Sequence, residues 1–430
     1  MNDEALSDSE RRVLDHLDEE ALVESLVELV RIPSLGGSDA EVEVQETYAE
    51  MLRQLGADVD QWDIDLDEIT EDPWFPGQEV ERSQAIGVVG ATEGEGSPAL
   101  VLQAHLDVVP PGDPENWLGS EPFSAEIRDG SMYGRGACDM KAGAAANLSV
   151  LRTLRAAGVR LERPLAVHSV IGEEDGGLGA FATLRRGHRG DAAVITEPTS
   201  AQIITATAGA LTFRIEVSGR SAHGSMRLEG VSAFEAFLPI HRALMQFEAD
   251  RNRGHDHVFT ASIPYALSFG MIQAGEWSSN VPDRLVAEGR FGVQLDEDPR
   301  LARARFEDVV TEVAVKDPWL RENRPVVTWP GGQFASGAID HDHPLIEETI
   351  AAVVAVGAPR PPLVAGVYGS DLRLYTGIGG IPTLHYGPGS ISQAHSPLEH
   401  VPLDELVTVA QSLTVLTMRR CGVTSDSSAV

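Results

Sequence analysis

Apolar residues recur every three or four positions over 10–31 (ERRVLDHLDEEALVESLVELVR), which predicts an amphipathic helix ending before Pro33. A second helix is expected over about 39–55, closed by Gly56. The pattern then changes to short apolar runs. IGVVGA and PALVLQAHLDVV read as strands. LAVHSVIG and AAVITE end in acidic residues, as buried parallel strands with functional ends do. Residues 139–157 form a small-residue stretch suited to a helix packed tightly on a sheet, and 110–136 reads as a long site-walling loop rich in Gly, Pro and aromatic residues.

Around residue 207 the texture shifts. LTFRIEVSG alternates strictly, 231–250 is helical, 283–294 (DRLVAEGRFGVQ) alternates again, 298–316 is helical, and a strand at RPVVTW follows. Two helices on an antiparallel sheet make an α+β unit inserted in a larger domain. The expected plan assigns 1–206 and 330–430 to the larger domain and 207–329 to the insertion. The larger domain resumes at HPLIEETIAAVVAV and GIPTLHYG and closes with a helix from 403, before a tail, TSDSSAV, expected to fray. The fold class is α/β, with a mainly parallel sheet interrupted by the α+β insertion.

Composition narrows the function classes. No apolar run approaches the roughly 20 residues of a membrane span, and the acidic start MNDEALSDSERRVLDHLDEE carries no signal-peptide core. Cys138 and Cys421 are the only cysteines, too few for a disulfide framework, so a reducing cytoplasm is the expected setting. The net charge of −33, with Lys141 and Lys316 the only lysines, disfavours nucleic acid and anionic lipid as partners. The acidity fits a salt-rich cytosol or a high-GC genome equally well.

Metal-capable side chains gather at the ends of the expected strands. They are His105 with Asp107 in HLDVV, Asp139 in GRGACDMK, Glu173 and Glu174 in GEED, Glu197 in TEPT, and His395 in AHSPLEH. The successive intervals from His105 to Asp139, Glu174 and Glu197 are 34, 35 and 23 residues. Those are lengths of strand–crossover–strand units, and parallel sheets bind ligands beyond the carboxyl ends of their strands. Mixed imidazoles and carboxylates there point to zinc or a similar divalent ion, and to hydrolysis.

Each residue also has a plainer reading: a core histidine beside a solvated aspartate, an N-cap at Asp139, a solvated loop at Glu173 and Glu174. Together they say more. On a strand, His105 and Asp107 project to one side, so Asp107 can orient the imidazole. Asp139 can bridge two ions, one oxygen each. Adjacent Glu173 and Glu174 diverge, so one can bind metal while the other takes a proton from water. With Glu197 and His395 the set meets the needs of two four- or five-coordinate zinc ions. GLGAFA (Gly177, Gly179, Ala182) matches a dinucleotide fingerprint loosely, but the surrounding Glu173, Glu174, Asp175 and Glu197 would repel a pyrophosphate. No GxSxG elbow or Cys/His arrangement offers a nucleophile.

The strings HLDVVPPGD, DGSMYGRGACDMKAG, GEEDGG, TEPT, SGRSAHGS, NVPDR, YGSDLR and AHSPLEHV, in that order over nearly the whole chain, resemble the M20 family of metallopeptidases and deacylases. Its acetylornithine deacetylase and succinyl-diaminopimelate desuccinylase branch is the most similar, and WDIDLDEITEDPWF resembles a formylaminopyrimidine deformylase-like subgroup. The resemblance implies two Zn2+ ions, with Co2+ or Mn2+ as alternatives. His105, Asp139 and Glu197 hold one, Asp139, Glu174 and His395 the other, and Asp139 bridges. It makes Glu173 the general base, Asp107 the partner of His105, and Asp139–Met140 a cis peptide. The insertion corresponds to a lid and dimerisation domain of a homodimer, in which His223 (SAHGS) reaches the partner's site and stabilises the oxyanion. Asn280 and Arg290 hold the substrate, Gly369 and Ser370 line its pocket, and Asp371 and Arg373 support that loop. YGSDLR departs from the family's GGTDAR-like loop, so Leu372 is expected to narrow or reshape the acyl pocket.

The expected activity is that of a dizinc amidohydrolase acting on small N-acyl amino acids or related amides. A carboxypeptidase or dipeptidase acting on short peptides is the alternative on the same scaffold. A non-catalytic metal-binding protein is a third reading, disfavoured by a complete ligand set beside Glu173.

Overall fold

Strands that are apolar on both faces need cover on both faces. Leu100–His105, Leu165–Val170 and Ala193–Ile195 are buried at every position. In the computed structural model, which describes residues 5–117, 121–254 and 258–424, they form the centre of a mixed sheet. Leu100–His105 pairs in parallel with both of the others, and Ala193–Ile195 pairs in parallel with Thr383–His385. Antiparallel strands flank this centre: Ile86–Ala91 beside Leu165–Val170, then Asp58–Asp63, and Ile203–Thr207 beside Thr383–His385.

The helix Ala142–Ala156 is buried over most of its length and packs against Glu19–Arg31 and Leu403–Cys421. Its small residues allow a close approach. A Cβ on Gly143 would lie 2.1 Å from the Thr196 carbonyl oxygen, so only glycine lets the helix start there.

Two expectations need correction. The single helix over 10–31 is two helices, Asp8–Leu14 and Glu19–Arg31. The Asp18 carboxylate accepts the Ala21 N–H and starts a new helix, a capping choice that apolar spacing does not register. The 110–136 stretch is not all loop, because Glu126–Arg128 and Ser131–Tyr133 form a hairpin that extends to His400–Pro402. Asp129 and Gly130 turn that hairpin with positive φ, the two-residue turn that suits strand twist. Of the tail expected to fray, only Thr424 lies within the described residues.

The chain divides into two compact units. One holds the residues up to Ala206, Ala338–Val364 and those from Asp371 onward, and the other holds Thr207–Gly337 with Ala365–Ser370. In the second, Gly209–Ser218 alternates buried and half-buried residues and pairs antiparallel with Arg284–Val293. Leu267–Ala274 forms one edge beyond it. The helices Ala233–Arg251 and Pro299–Ala314 pack together, and Phe213, Phe237, Phe291 and Phe306 fill the core. Burying each such side chain stabilises by about 1.5–3 kcal/mol. The unit runs past 329 because Gln333–Phe334 pairs with Leu211 and Ala210. It takes in 365–370 because Val367 and Gly366 accept bonds from Arg290 and Ala208. Among the described residues no helix is long and apolar enough to cross a membrane, and Cys138 and Cys421 are buried and unpaired.

Candidate metal centre

Three neighbouring parallel strands bring their carboxyl ends together. His105 closes its strand, Glu173 and Glu174 follow the strand that ends at Val170, and Glu197 follows the strand that ends at Ile195. Asp139 and His395 arrive by other routes. Asp139 sits in the turn that opens the helix Ala142–Ala156, and His395 on the loop before His400–Pro402. The 34- and 35-residue intervals around Asp139 are therefore not strand crossovers.

The geometry is specific. The His105 Nδ1–H donates to the Asp107 backbone oxygen at 3.0 Å, which presents Nε2 to the centre. That Nε2 lies 3.2 Å from Asp139 Oδ1 and 3.7 Å from Glu197 Oε1. Asp139 Oδ2 lies 3.5 Å from His395 Nε2, which is itself 3.1 Å from Glu174 Oε1. Each Asp139 oxygen thus faces a different imidazole. Ligand atoms of His105, Glu173 and Glu197 lie within 4.8 Å of one another, as do those of His105, Asp139 and Glu174. The Asp139–Met140 peptide is cis.

Asp107 does more than orient His105. Its carboxylate accepts the backbone N–H groups of Glu173 and Glu174 at 3.3 and 3.2 Å. Its Oδ1 stays 3.5 Å from His105 Nδ1, so the closest contact to the imidazole runs through its main chain.

Charge is out of balance here. Burial raises the pKa of Glu173 and of Glu197 well above the carboxylate range, and the neighbouring Glu197 and Asp139 respectively add to the rise. Burial and Asp139 raise Glu174 in the same direction. Burial opposes a charge on His105, yet Asp107, Asp139 and Glu197 outweigh it and raise its pKa well above normal. Bonds to Asp139 and Glu174 push His395 up to about 10. Four converging carboxylates with two imidazoles are a set that a divalent cation would neutralise, and the donor types suit zinc.

Some supporting side chains, Arg82 and Gln103 among them, carry no sequence signal of their own. The Arg82 side chain is buried and forks onto Glu41 at 2.9 Å and onto Asp175 at 2.8 and 2.9 Å. Asp175 also accepts the Val80 N–H, which packs this segment against the turn after Glu174. Gly176 allows that approach, since a Cβ there would lie 2.1 Å from the Gly77 oxygen. Lys141 is buried and donates to the Leu29 and Ile32 carbonyls, anchoring the turn after Asp139. Arg373 donates to the Gly176 oxygen and Gln103 to Asp371. Leu372 contradicts its expectation: it is wholly buried in the core of the larger unit and so does not narrow a pocket.

The remaining candidates lie in the second unit. His223 is exposed and forms a β-bridge with Asn280, and its Nδ1 accepts the Ser225 N–H at 3.2 Å. Arg290 donates to the Val367 oxygen at 2.7 Å, and burial lowers its pKa. Gly369 lies against Phe334, and Ser370 is buried.

A cluster of imidazoles and carboxylates at the carboxyl edge of a parallel sheet defines the centre as one of the metallohydrolase kind. The comparisons agree. The chain belongs to peptidase family M20/M25/M40, whose profile matches residues 101–419, and it is a metal-dependent hydrolase of amide bonds. It is 28% identical over 383 residues to N-formyl-4-amino-5-aminomethyl-2-methylpyrimidine deformylase of Bacillus subtilis, covering 85% of this chain and 86% of that protein. It is 30% identical to acetylornithine deacetylase of Yersinia pseudotuberculosis, covering 73% and 77% of the two chains. The fold is similar to that of the di-peptidase Dug1p from Saccharomyces cerevisiae, with TM-score 0.76 and 14% identity over 97% of this chain and 99% of the other.

Proposed function

We propose that this chain is a two-zinc amidohydrolase that removes a small acyl group from an amine or amino acid. The carrying observation is Asp139, whose two oxygens face His105 and His395 separately, 3.2 and 3.5 Å away. His105, Asp139 and Glu197 would hold one ion, and Asp139, Glu174 and His395 the other. Bound there, the ions would supply Lewis acidity toward an amide carbonyl and a lowered pKa for water.

Among the described residues no hydrogen bond engages the Glu173 carboxylate, which is buried beside this set. It is therefore free to take a proton from the attacking water and return it to the leaving nitrogen. His223 would reach the centre of the partner subunit and donate there to the oxyanion as the carbonyl becomes tetrahedral. Arg290, without a carboxylate partner among the described residues, suits a substrate carboxylate; Asn280 would help hold the substrate, and Gly369 and Ser370 would line its pocket. The deformylase and deacetylase relatives favour a small acyl group over a peptide. Exposed Met271 and Ile272 on the edge strand Leu267–Ala274 support a homodimer that joins these edges.

A substrate panel tests the activity. N-formyl and N-acetyl amines should turn over faster than dipeptides in zinc-loaded protein. Glu173→Ala should lose nearly all turnover while retaining its metal. Wild-type turnover in that variant would remove Glu173 from the mechanism, and a preference for dipeptides would make the chain a peptidase. Sedimentation of the free protein as a monomer would overturn the dimer.

A further inference from the structure

Glu399 is fully buried and makes four bonds that tie two stretches of chain together. Its Oε1 accepts the backbone N–H of Cys138 and of Asp139, both at 3.1 Å. Its Oε2 pairs with the guanidinium of Arg135, which is also buried. Its backbone oxygen accepts the Gly134 N–H at 3.1 Å. These partners all lie in the turn that delivers Asp139.

Glu399 itself belongs to the loop that delivers His395, and its N–H donates to the Ser396 oxygen at 3.2 Å. His395 sits on that loop with φ +59° and a side chain 51% exposed, and the carboxylates of Asp139 and Glu174 are its side-chain contacts. A half-exposed imidazole on a loop is held where it is only as well as the loop is held. The bond from the Asp139 amide to Glu399 is the link nearest the centre, beside the pairing of His400 with Tyr133 that also joins the two stretches.

We propose that Glu399 is a positioning residue: it sets the His395 loop in register with the Asp139 turn, and thereby sets how tightly the centre retains its cations. The inference rests on reading the centre as a metal site. The chemistry requires a carboxylate. An ionised carboxyl only accepts, and all the groups facing it donate. A glutamine would turn its NH2 either toward Arg135 or toward the two amides, so one side of the link would open. A buried ion pair adds little net stability compared with an apolar pair of similar volume. What it contributes here is geometry.

Zinc titrated into the metal-free full chain against a competing chelator tests this, with wild type, Glu399→Gln, His395→Ala and the double variant compared. Glu399→Gln should weaken zinc retention about 10–100-fold, the usual effect of losing an outer partner of a metal ligand. The double variant should hold zinc no more weakly than His395→Ala alone, because Glu399 acts through that loop. Should Glu399→Gln fail to fold, Arg135→Met with Glu399→Met removes both charges from the core and should show the same loss of zinc with a native-like melting point. Wild-type zinc retention in these variants, or losses that multiply in the double variant, would overturn the proposal. A wild-type chain that takes up no zinc would instead overturn the metal-centre reading beneath it.

Discussion

The carboxylate of Asp107 holds the backbone of Glu173: its Oδ1 accepts the Glu173 N–H at 3.3 Å, while Oδ2 takes that of Glu174 at 3.2 Å. The same residue offers its main-chain oxygen to His105 Nδ1–H. One aspartate therefore sets an imidazole and the turn bearing both glutamates. Asp107→Asn places an amide NH2 against one of the two donors. We expect kcat to fall about 10–100-fold with a smaller change in KM. Steady-state kinetics on the best acyl substrate would check it, and an unchanged kcat would mean the turn holds without Asp107.

Arg82 is enclosed by Glu41 and Asp175, with side-chain exposures of 0, 1 and 8%. Arg82→Met would strand two buried carboxylates. The expected loss is about 3–5 kcal/mol, the range for removing one partner of a buried pair. Denaturant unfolding measures it. A loss below about 1 kcal/mol would place this cluster with weak surface pairs.

Chelation should destabilise the larger unit, because a bound divalent cation would offset the charge of Asp139, Glu173 and Glu197, which are buried together. Zinc at a thousandfold excess over its Kd would add about 4 kcal/mol per site if the unfolded chain binds none. Calorimetry with and without chelator reads this as a shift in Tm. Identical transitions would argue that no cation binds the folded state preferentially.

Burial lowers the pKa of His168 and of His385 from 6.5 to about 3. Both stay neutral in the fold, whereas the unfolded chain protonates them near 6.5, so the unfolded state binds more protons between those values. Their contribution to stability is complete above pH 6.5 and is lost as the pH falls from 6.5 toward 3. Each group adds at most about 1.4 kcal/mol per pH unit to that slope. Urea midpoints from pH 4 to 8 should show the loss, and His168→Gln should flatten it. A slope unchanged in that variant would mean His168 is protonated in the fold.

How much of the centre was readable along the chain depends on how each residue reaches it. His105, Glu173, Glu174 and Glu197 follow short apolar runs, so a local pattern marks them. Asp139 and His395 come from a turn and a loop, which local patterning does not aim anywhere. Only their surrounding strings, through a family resemblance, singled them out. Arg82 had no mark at all, and Glu399 stood inside AHSPLEHV with no role assigned to it. Their partners lie 41 and 93 residues from Arg82 and up to 264 from Glu399, and no short-range periodicity carries that information.

The sequence by itself determined the buried strands, the alternating strands of the second unit, and the acidic ends where a cation could gather. Those features follow from whether a segment must bury one face or two, a property of neighbouring residues. Tertiary structure alone decided that Asp139 turns one oxygen to each imidazole, that Leu372 points into the core, and that Asp107 holds the backbone of the glutamates. Each of these depends on where distant segments meet, and hydrogen bonds and excluded volume act only once the chain has brought them into contact.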